Sequence, residues 1–306
     1  MPLEIIRGFY FLSIHLLYAS GVCLGAWLLT SIRHGSATTK HWIWVATALN
    51  FGLPVAALMD AFCAPHLSWA RPLAVVGSAV DRAFRNPRVA AVLCAIWSLG
   101  ALLMLVRLWA RLRAERRDAG PRRSGASFVF HGVPVCIEES PVVPAVRGFL
   151  LPRIWLPSGI DRLLSPEEMR AVLLHEATHA RRRDNLIRLV QELVLCAVWF
   201  HPLAWLTSAR LALYRELSCD ESVVDRALGR DLVRALGKLA RPGRAGFLQA
   251  TASSFLSDRL AMLRRGKSAR AAGVVDVLLV AIFTGVLLLG VFETISHTAC
   301  CFMPVT

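Results

Sequence analysis

Ser165-Pro166-Glu167-Glu168-Met169-Arg170-Ala171-Val172-Leu173-Leu174-His175-Glu176-Ala177-Thr178-His179 combines a helix start with a metal-binding spacing. Serine ahead of proline, with glutamate three residues after the serine, is the pattern of an N-cap, a proline at the first helical position and a capping box. The acids fall in the first turn, where the helix dipole favours negative charge. Met169, Val172 and Leu173 supply an apolar face, so the stretch is predicted to be a helix of about two to four turns. Residues four apart share a helix face, and His175 and His179 can present both imidazoles to one zinc ion at roughly 2.0–2.1 Å. Glu176 is rotated off that line, beside the metal, placed to take a proton from water. The alternative is a surface helix that carries these residues by chance. With 9 histidines in the chain, that coincidence is uncommon.

Two histidines leave such a site one protein ligand short. On a continuous helix Glu192 would lie about 20 Å beyond His179, and Asp184 about 140° around from it, so neither reaches. His201-Pro202 ends the helix, and Pro202 can open another that folds back. On that second helix Glu216 and Asp220 share a face, while Glu221 points elsewhere. Glu216 is the expected third ligand. Asp220 is the expected carboxylate that orients a ligand histidine through its other ring nitrogen. The competing reading of Glu216 is an exposed helix charge.

In this order, His175–His179, Arg183-Asp184, Trp199-Phe200-His201-Pro202 and Arg215–Asp220 resemble the metallopeptidase domain of the BlaR/MecR-type antirepressor family. Val146-Arg147-Gly148-Phe149-Leu150-Leu151-Pro152-Arg153-Ile154-Trp155-Leu156-Pro157 is similar to the family's G-[FL]-x-x-P-x-I-x-L-P segment. The motifs run from Phe128 to Arg270, and the membrane layout extends the resemblance to the whole chain. It implies a gluzincin-like zinc site with His175, His179 and Glu216 as ligands and Glu176 as the base. It also implies a signal transducer in which an outer event activates an inner protease that cuts a cytoplasmic repressor, often after cutting itself. For self-cleavage, Ser254-Phe255 ahead of the amphipathic Leu256–Arg265 is the stretch to inspect; an ordinary flexible loop competes with that reading. Antibiotic sensors of the family carry a penicillin-binding domain after the fourth span. Here that place holds Thr294–Thr306, without an S-x-x-K motif, so direct β-lactam sensing is not expected.

The rest of the sequence reads as membrane. Of 306 residues 56% are hydrophobic, and the mean hydropathy of +0.52 is too high for an ordinary soluble domain. Phe9–Thr30, Trp42–Ala64, Val89–Val106 and Gly273–Phe292 are long and apolar enough to span. Trp42 and Trp44 are expected interface anchors. All but seven of the 35 Lys and Arg lie between Arg107 and Gly273. Positive residues stay inside, which places that segment in the cytoplasm of a multi-pass inner-membrane protein. The loop between the second and third spans, with four Arg, would face outward against this rule. The net charge of +14 is read as topology and contact with anionic lipid, and no nucleic-acid motif is present.

The expected architecture is a mainly α membrane protein with about four transmembrane helices and a cytoplasmic α+β zincin-like domain between the third and fourth. The expected ranges are a three-helix region over 1–110, a basic linker over 111–127, the zinc domain over 128–270, a fourth helix over 271–293 and an outer tail over 294–306. Leu186–Leu206 contains Arg188, Gln191, Glu192 and His201, so a buried or membrane-apposed helix is expected there rather than a fifth span. Phe128–Phe130, Val133–Ile137 and Pro152–Leu156 read as short strands, and an edge strand of such a sheet can pair with an extended peptide. Cys23, Cys94 and Cys196 read as packing residues, and only Cys300-Cys301 invite a disulfide test, with Cys63 or another chain. Tyr214 and His201 are weak candidates for an oxyanion contact, with structural roles favoured. Zinc is the expected cofactor, the expected partner a cytoplasmic protein substrate, and self-association stays open. The competing functions are a housekeeping membrane protease of the HtpX or CAAX-protease kind and a zinc-stabilised scaffold. An intact Glu176 argues against the scaffold, because a structural site needs no base.

Overall fold

The computed structural model describes residues 3–32, 35–52, 86–117, 128–138, 143–239 and 255–265. Three long helices come first: α1 (Leu3–Ile32), α2 (Ala37–Gly52) and α3 (Pro87–Arg117). Among the described residues, Pro87–Glu115 is the one helix both long and apolar enough to cross a membrane. α1 contains the first expected span, α2 the first part of the second, and α3 the third. The fourth expected span, Ser254, Cys63 and Cys300-Cys301 lie outside the described residues. α3 stays helical through Arg117, so the basic stretch expected over 111–127 starts as helix.

A four-stranded sheet follows, with β1 (Phe128–Phe130), β2 (Val133–Glu138), β3 (Ala145–Arg147) and β4 (Arg153–Pro157) in the order β1-β2-β4-β3. β2 and β4 are parallel, pairing Val135 with Ile154 and Ile137 with Leu156; the outer pairs are antiparallel. β3, which has only three residues and sits beside glycine and proline, was not among the strands expected from the sequence. One turn of helix, α4 (Ile160–Leu163), leads into α5 (Pro166–Arg182). α5 opens as its sequence requires. Ser165 Oγ accepts from the Glu168 amide at 3.3 Å, and Glu168 Oε2 accepts from the Ser165 amide at 2.9 Å.

α5 ends at Arg183, which adopts the left-handed conformation (φ 56°, ψ 45°), and α6 (Asp184–Ala197) starts at once. The helix therefore does not continue, contrary to the geometry used above for Glu192 and Asp184. Pro202 opens α7 (Pro202–Val224) as expected, and α8 (Gly229–Leu239) and α9 (Leu256–Arg265) complete the described chain.

Two cores hold these elements. Val135, Ile154 and Leu156 of the sheet pack with Val172 and Leu173 of α5, Val223 of α7, Leu232 of α8 and Leu263 of α9. The second core joins Ala19 and Cys23 of α1, Trp44 and Phe51 of α2, Leu195 of α6 and Leu211 of α7. α7 contributes to both cores and so ties the sheet-containing part to the long apolar helices. α6 is a 14-residue helix packed on α2, α3 and α7, which is too short to be a fifth span.

Candidate metal centre

The α5 face carrying His175 and His179 meets the α7 face carrying Glu216 and Asp220. The two Nε2 atoms of His175 and His179 stand 3.2 Å apart. Glu216 faces both, with Oε2 3.7 Å from His175 Nε2 and Oε1 3.8 Å from His179 Nε2. Ligand atoms from these three residues lie within 4.8 Å of one another. Two nitrogens bound tetrahedrally at roughly 2.0–2.1 Å would stand about 3.3 Å apart, so the pair is spaced for one zinc ion.

The outer nitrogens are also occupied. Asp220 Oδ1 lies 3.0 Å from His175 Nδ1, off the ideal hydrogen-bond line. Asp184 Oδ2 lies 2.6 Å from His179 Nδ1. Each ring is thereby oriented from behind and keeps Nε2 for the interior of the site. The sequence had excluded Asp184 on the premise of a continuous helix. The reversal at Arg183 brings it back against His179, and no glycine or asparagine marks that turn. Arg182 holds Asp184 in place, with Nη2 2.6 Å from Oδ2 and Nε 3.2 Å from Oδ1.

Arg259 of α9 is the second residue that sequence reasoning missed, having read it only as part of a basic flank. It is buried and forks onto Asp220, with Nε to Oδ2 at 2.8 Å and Nη2 to Oδ1 at 2.9 Å. Its Nη1 lies 3.4 Å from Glu216 Oε2 and its Nη2 3.5 Å from His175 Nε2. The only signal was the amphipathic pattern of Leu256–Arg265 around a central arginine.

These contacts set the electrostatics. Burial alone would lower the His175 pKa, but the neighbouring Asp220 and Glu216 carboxylates carry it up to about 9. Burial also opposes ionisation of Glu216, yet His179, His175, Arg215 and Arg259 hold it well below the usual carboxylate range. Asp184 is likewise penalised by burial and drawn down to about 2 by His179 and Arg182. Glu176 shifts the other way: burial raises it, and the nearby cations only partly compensate. A buried carboxyl with a raised pKa is suited to proton transfer.

A second cluster, His179, Asp184 and Cys219, also falls within metal-ligand spacing. Its chemistry is poorer. Burial drives the Cys219 thiol well above its ordinary pKa, and Asp184 is committed to His179 and Arg182. Tyr214 and His201 lie in or against the second core: Tyr214 packs under Lys40, and His201 stands against Ser20 and Phe51. Glu221, next to Asp220, points to the start of α2, where it accepts from Ser36 Oγ at 2.7 Å and the Thr38 amide at 3.0 Å.

Residues 10–263 match the family described as BlaR1 peptidase M56. The chain belongs to that family. The Regulatory protein BlaR1 of Bacillus licheniformis is 26% identical over 229 residues, which is 68% of this chain and 37% of that protein. The chain therefore spans little more than a third of that curated relative. The family is one of membrane-associated metallopeptidases, and the match covers α5, α6 and α7 together with the described long helices.

Proposed function

We propose that this chain is a zinc-dependent membrane endopeptidase with His175, His179 and Glu216 as ligands, Glu176 as general base and Asp220 as an orienting residue. The observation that carries the reading is the convergence of two Nε2 atoms and one carboxylate, with each imidazole backed by its own aspartate. Zinc, when bound, polarises a carbonyl and acidifies water. Glu176 accepts the proton of the attacking water and returns it to the leaving amine. Its raised pKa makes the first half of that cycle, acceptance of the proton, easier. Asp220 and Asp184 hold the imidazoles in the tautomer that frees Nε2.

In the cell the peptidase acts as a signal transducer of the inner membrane, with its metal centre on the cytoplasmic side, and cuts a cytoplasmic repressor. Self-cleavage at Ser254-Phe255 belongs to the same proposal. Phe255 lies directly ahead of α9, whose Arg259 reaches the metal centre, so a cut there would alter the tether of that helix.

The test compares wild type with Glu176→Ala, both purified in detergent. Zinc per chain is measured, and the intact chain and candidate repressors are followed by mass spectrometry. About one zinc in both proteins, with cleavage by wild type alone, is the expected result. A zinc-free wild type overturns the ligand assignment. Zinc in both with a broad range of products favours a housekeeping protease.

A further inference from the structure

The α6–α7 hairpin, around its turn Val198–His201, contacts three long helices near the centre of each expected span. On α3, Trp97 Nε1 donates to Ala197 O at 2.9 Å, and Trp199 Nε1 donates to Trp97 O at 3.2 Å. Trp97 lies midway between Arg88 and Arg107, about 15 Å from each along the helix. On α1, Ser20 Oγ is 3.2 Å from His201 Nε2, and Cys23 Sγ is 3.3 Å from Thr207 Oγ1. Ser20 is central in Phe9–Thr30. On α2, a Cβ placed on Gly52 would meet Val194 Cγ2 at 2.4 Å, and Gly52 lies about 15 Å beyond Trp42.

α3 is long, apolar and almost wholly unburied over its apolar length. Its exposed Val92, Ile96, Leu99 and Leu103 form an uncovered band. The hairpin packs on α3, and its Leu193, Phe200 and Trp205 are likewise exposed, at 46%, 46% and 42%. We propose that α6 and α7 form a re-entrant hairpin whose tip, Val198–His201, lies near the midplane of the bilayer, with Leu193, Phe200 and Trp205 facing lipid chains. The occupant of this apolar surface is lipid hydrocarbon, because the hairpin packs on α3, whose exposed apolar length is sufficient to cross a membrane.

The packing suits that medium. Hydrophobic burial does not hold helices together in lipid, so small residues and polar contacts do. Gly52 makes room for Val194, and Gly100 for the Trp199 ring, which a Cβ would meet at 2.1 Å. Two polar contacts lie at that depth, His201 Nε2 with Ser20 Oγ and Gln191 Nε2 with Ser208 Oγ, while His201 Nδ1 and Asn50 Nδ2 are buried without a partner. Glu192, nearer the basic end of α3, pairs with Arg111 and Arg188.

This placement deepens the peptidase reading and rests on it for its consequence. Asp184 begins α6 about 20 Å from the tip. The half-thickness of the hydrocarbon is about 15 Å, so the metal centre falls in the headgroup layer. The substrate is then a peptide presented at the membrane surface.

The test uses full-length wild-type protein in liposomes and two photoreactive phospholipids, one with the diazirine at the acyl-chain end and one with it in the headgroup. Labelled peptides are read by mass spectrometry. The chain-end probe is expected to label the peptides containing Leu193, Phe200 and Trp205 to the same extent as the α3 peptide containing Ile96, several-fold above the headgroup probe. Labelling of α3 without the hairpin overturns the proposal, whether water or a second copy covers the hairpin. Loss of both labels overturns the membrane placement itself while leaving zinc content and cleavage unaffected. A Gly100→Leu variant, which fills the Trp199 notch, is expected to lose hairpin labelling selectively.

Discussion

At the residue scale, the centre depends on which nitrogen of each imidazole is free. Asp220 and Asp184 decide this for His175 and His179, and Arg259 and Arg182 decide where those aspartates sit. The same contacts make the metal-free protein sensitive to pH. His175 has its pKa raised from 6.5 to about 9. The stabilisation from its protonated form is fully present below 6.5 and is lost as pH rises through about 9, a change on the order of 3 kcal/mol. Zinc must displace that proton, so zinc affinity rises over the same window. Thermal melts of the stripped protein are expected to show a falling midpoint between pH 6.5 and 9, with zinc restoring most at the alkaline end. A midpoint that rises without zinc would remove His175 as the titrating group. That His175 and His179 meet Glu216 and Asp220 was expected from the sequence, because helix spacing fixes who shares a face. Arg259 was not, because it arrives from a distant helix.

At the element scale, the junction at Arg183 matters most. One residue in the left-handed region ends α5 and starts α6 with no loop between. An L-residue there costs about 1–3 kcal/mol, which surrounding structure must offset. The Arg183 side chain is exposed, whereas Asp184 beside it is buried. Arg183→Gly is therefore expected to raise stability by about 1 kcal/mol, while Arg183→Val lowers it and loosens zinc. Equilibrium or thermal unfolding in detergent reads both, and a destabilising glycine would show that the arginine side chain is needed. The sequence announced the start of α5 through Ser165-Pro166 and of α7 through His201-Pro202, since proline and capping residues act locally. It was silent at Arg183, whose conformation is imposed by the packing of α6 against α2 and α3.

At the scale of the whole molecule, α7 joins the metal centre to the membrane helices. Asp220 turns toward His175, and its neighbour Glu221 caps α2 through Ser36, Ala37 and Thr38. A carboxylate at a helix N-terminus is favoured by the exposed amides and the dipole. Glu221→Gln keeps the shape but replaces one acceptor oxygen with donors that face other donors. It is expected to cost about 1–3 kcal/mol and to weaken zinc retention, since Asp220 shifts with the same helix turn. Loss of stability with unchanged zinc affinity would separate α2 from the metal centre.

Local signals in the sequence announced the helix and strand segments and the apolar stretches, because periodicity, capping and charge are written in neighbouring residues, and with the family resemblance they pointed to the five residues proposed for the metal centre. Only the tertiary structure decided that Asp184 backs His179, that Arg259 anchors Asp220, that Glu221 caps α2, and that the α6–α7 turn meets α1, α2 and α3 at their expected mid-span positions. Those outcomes depend on contacts between residues far apart in the chain, and no local spacing encodes them.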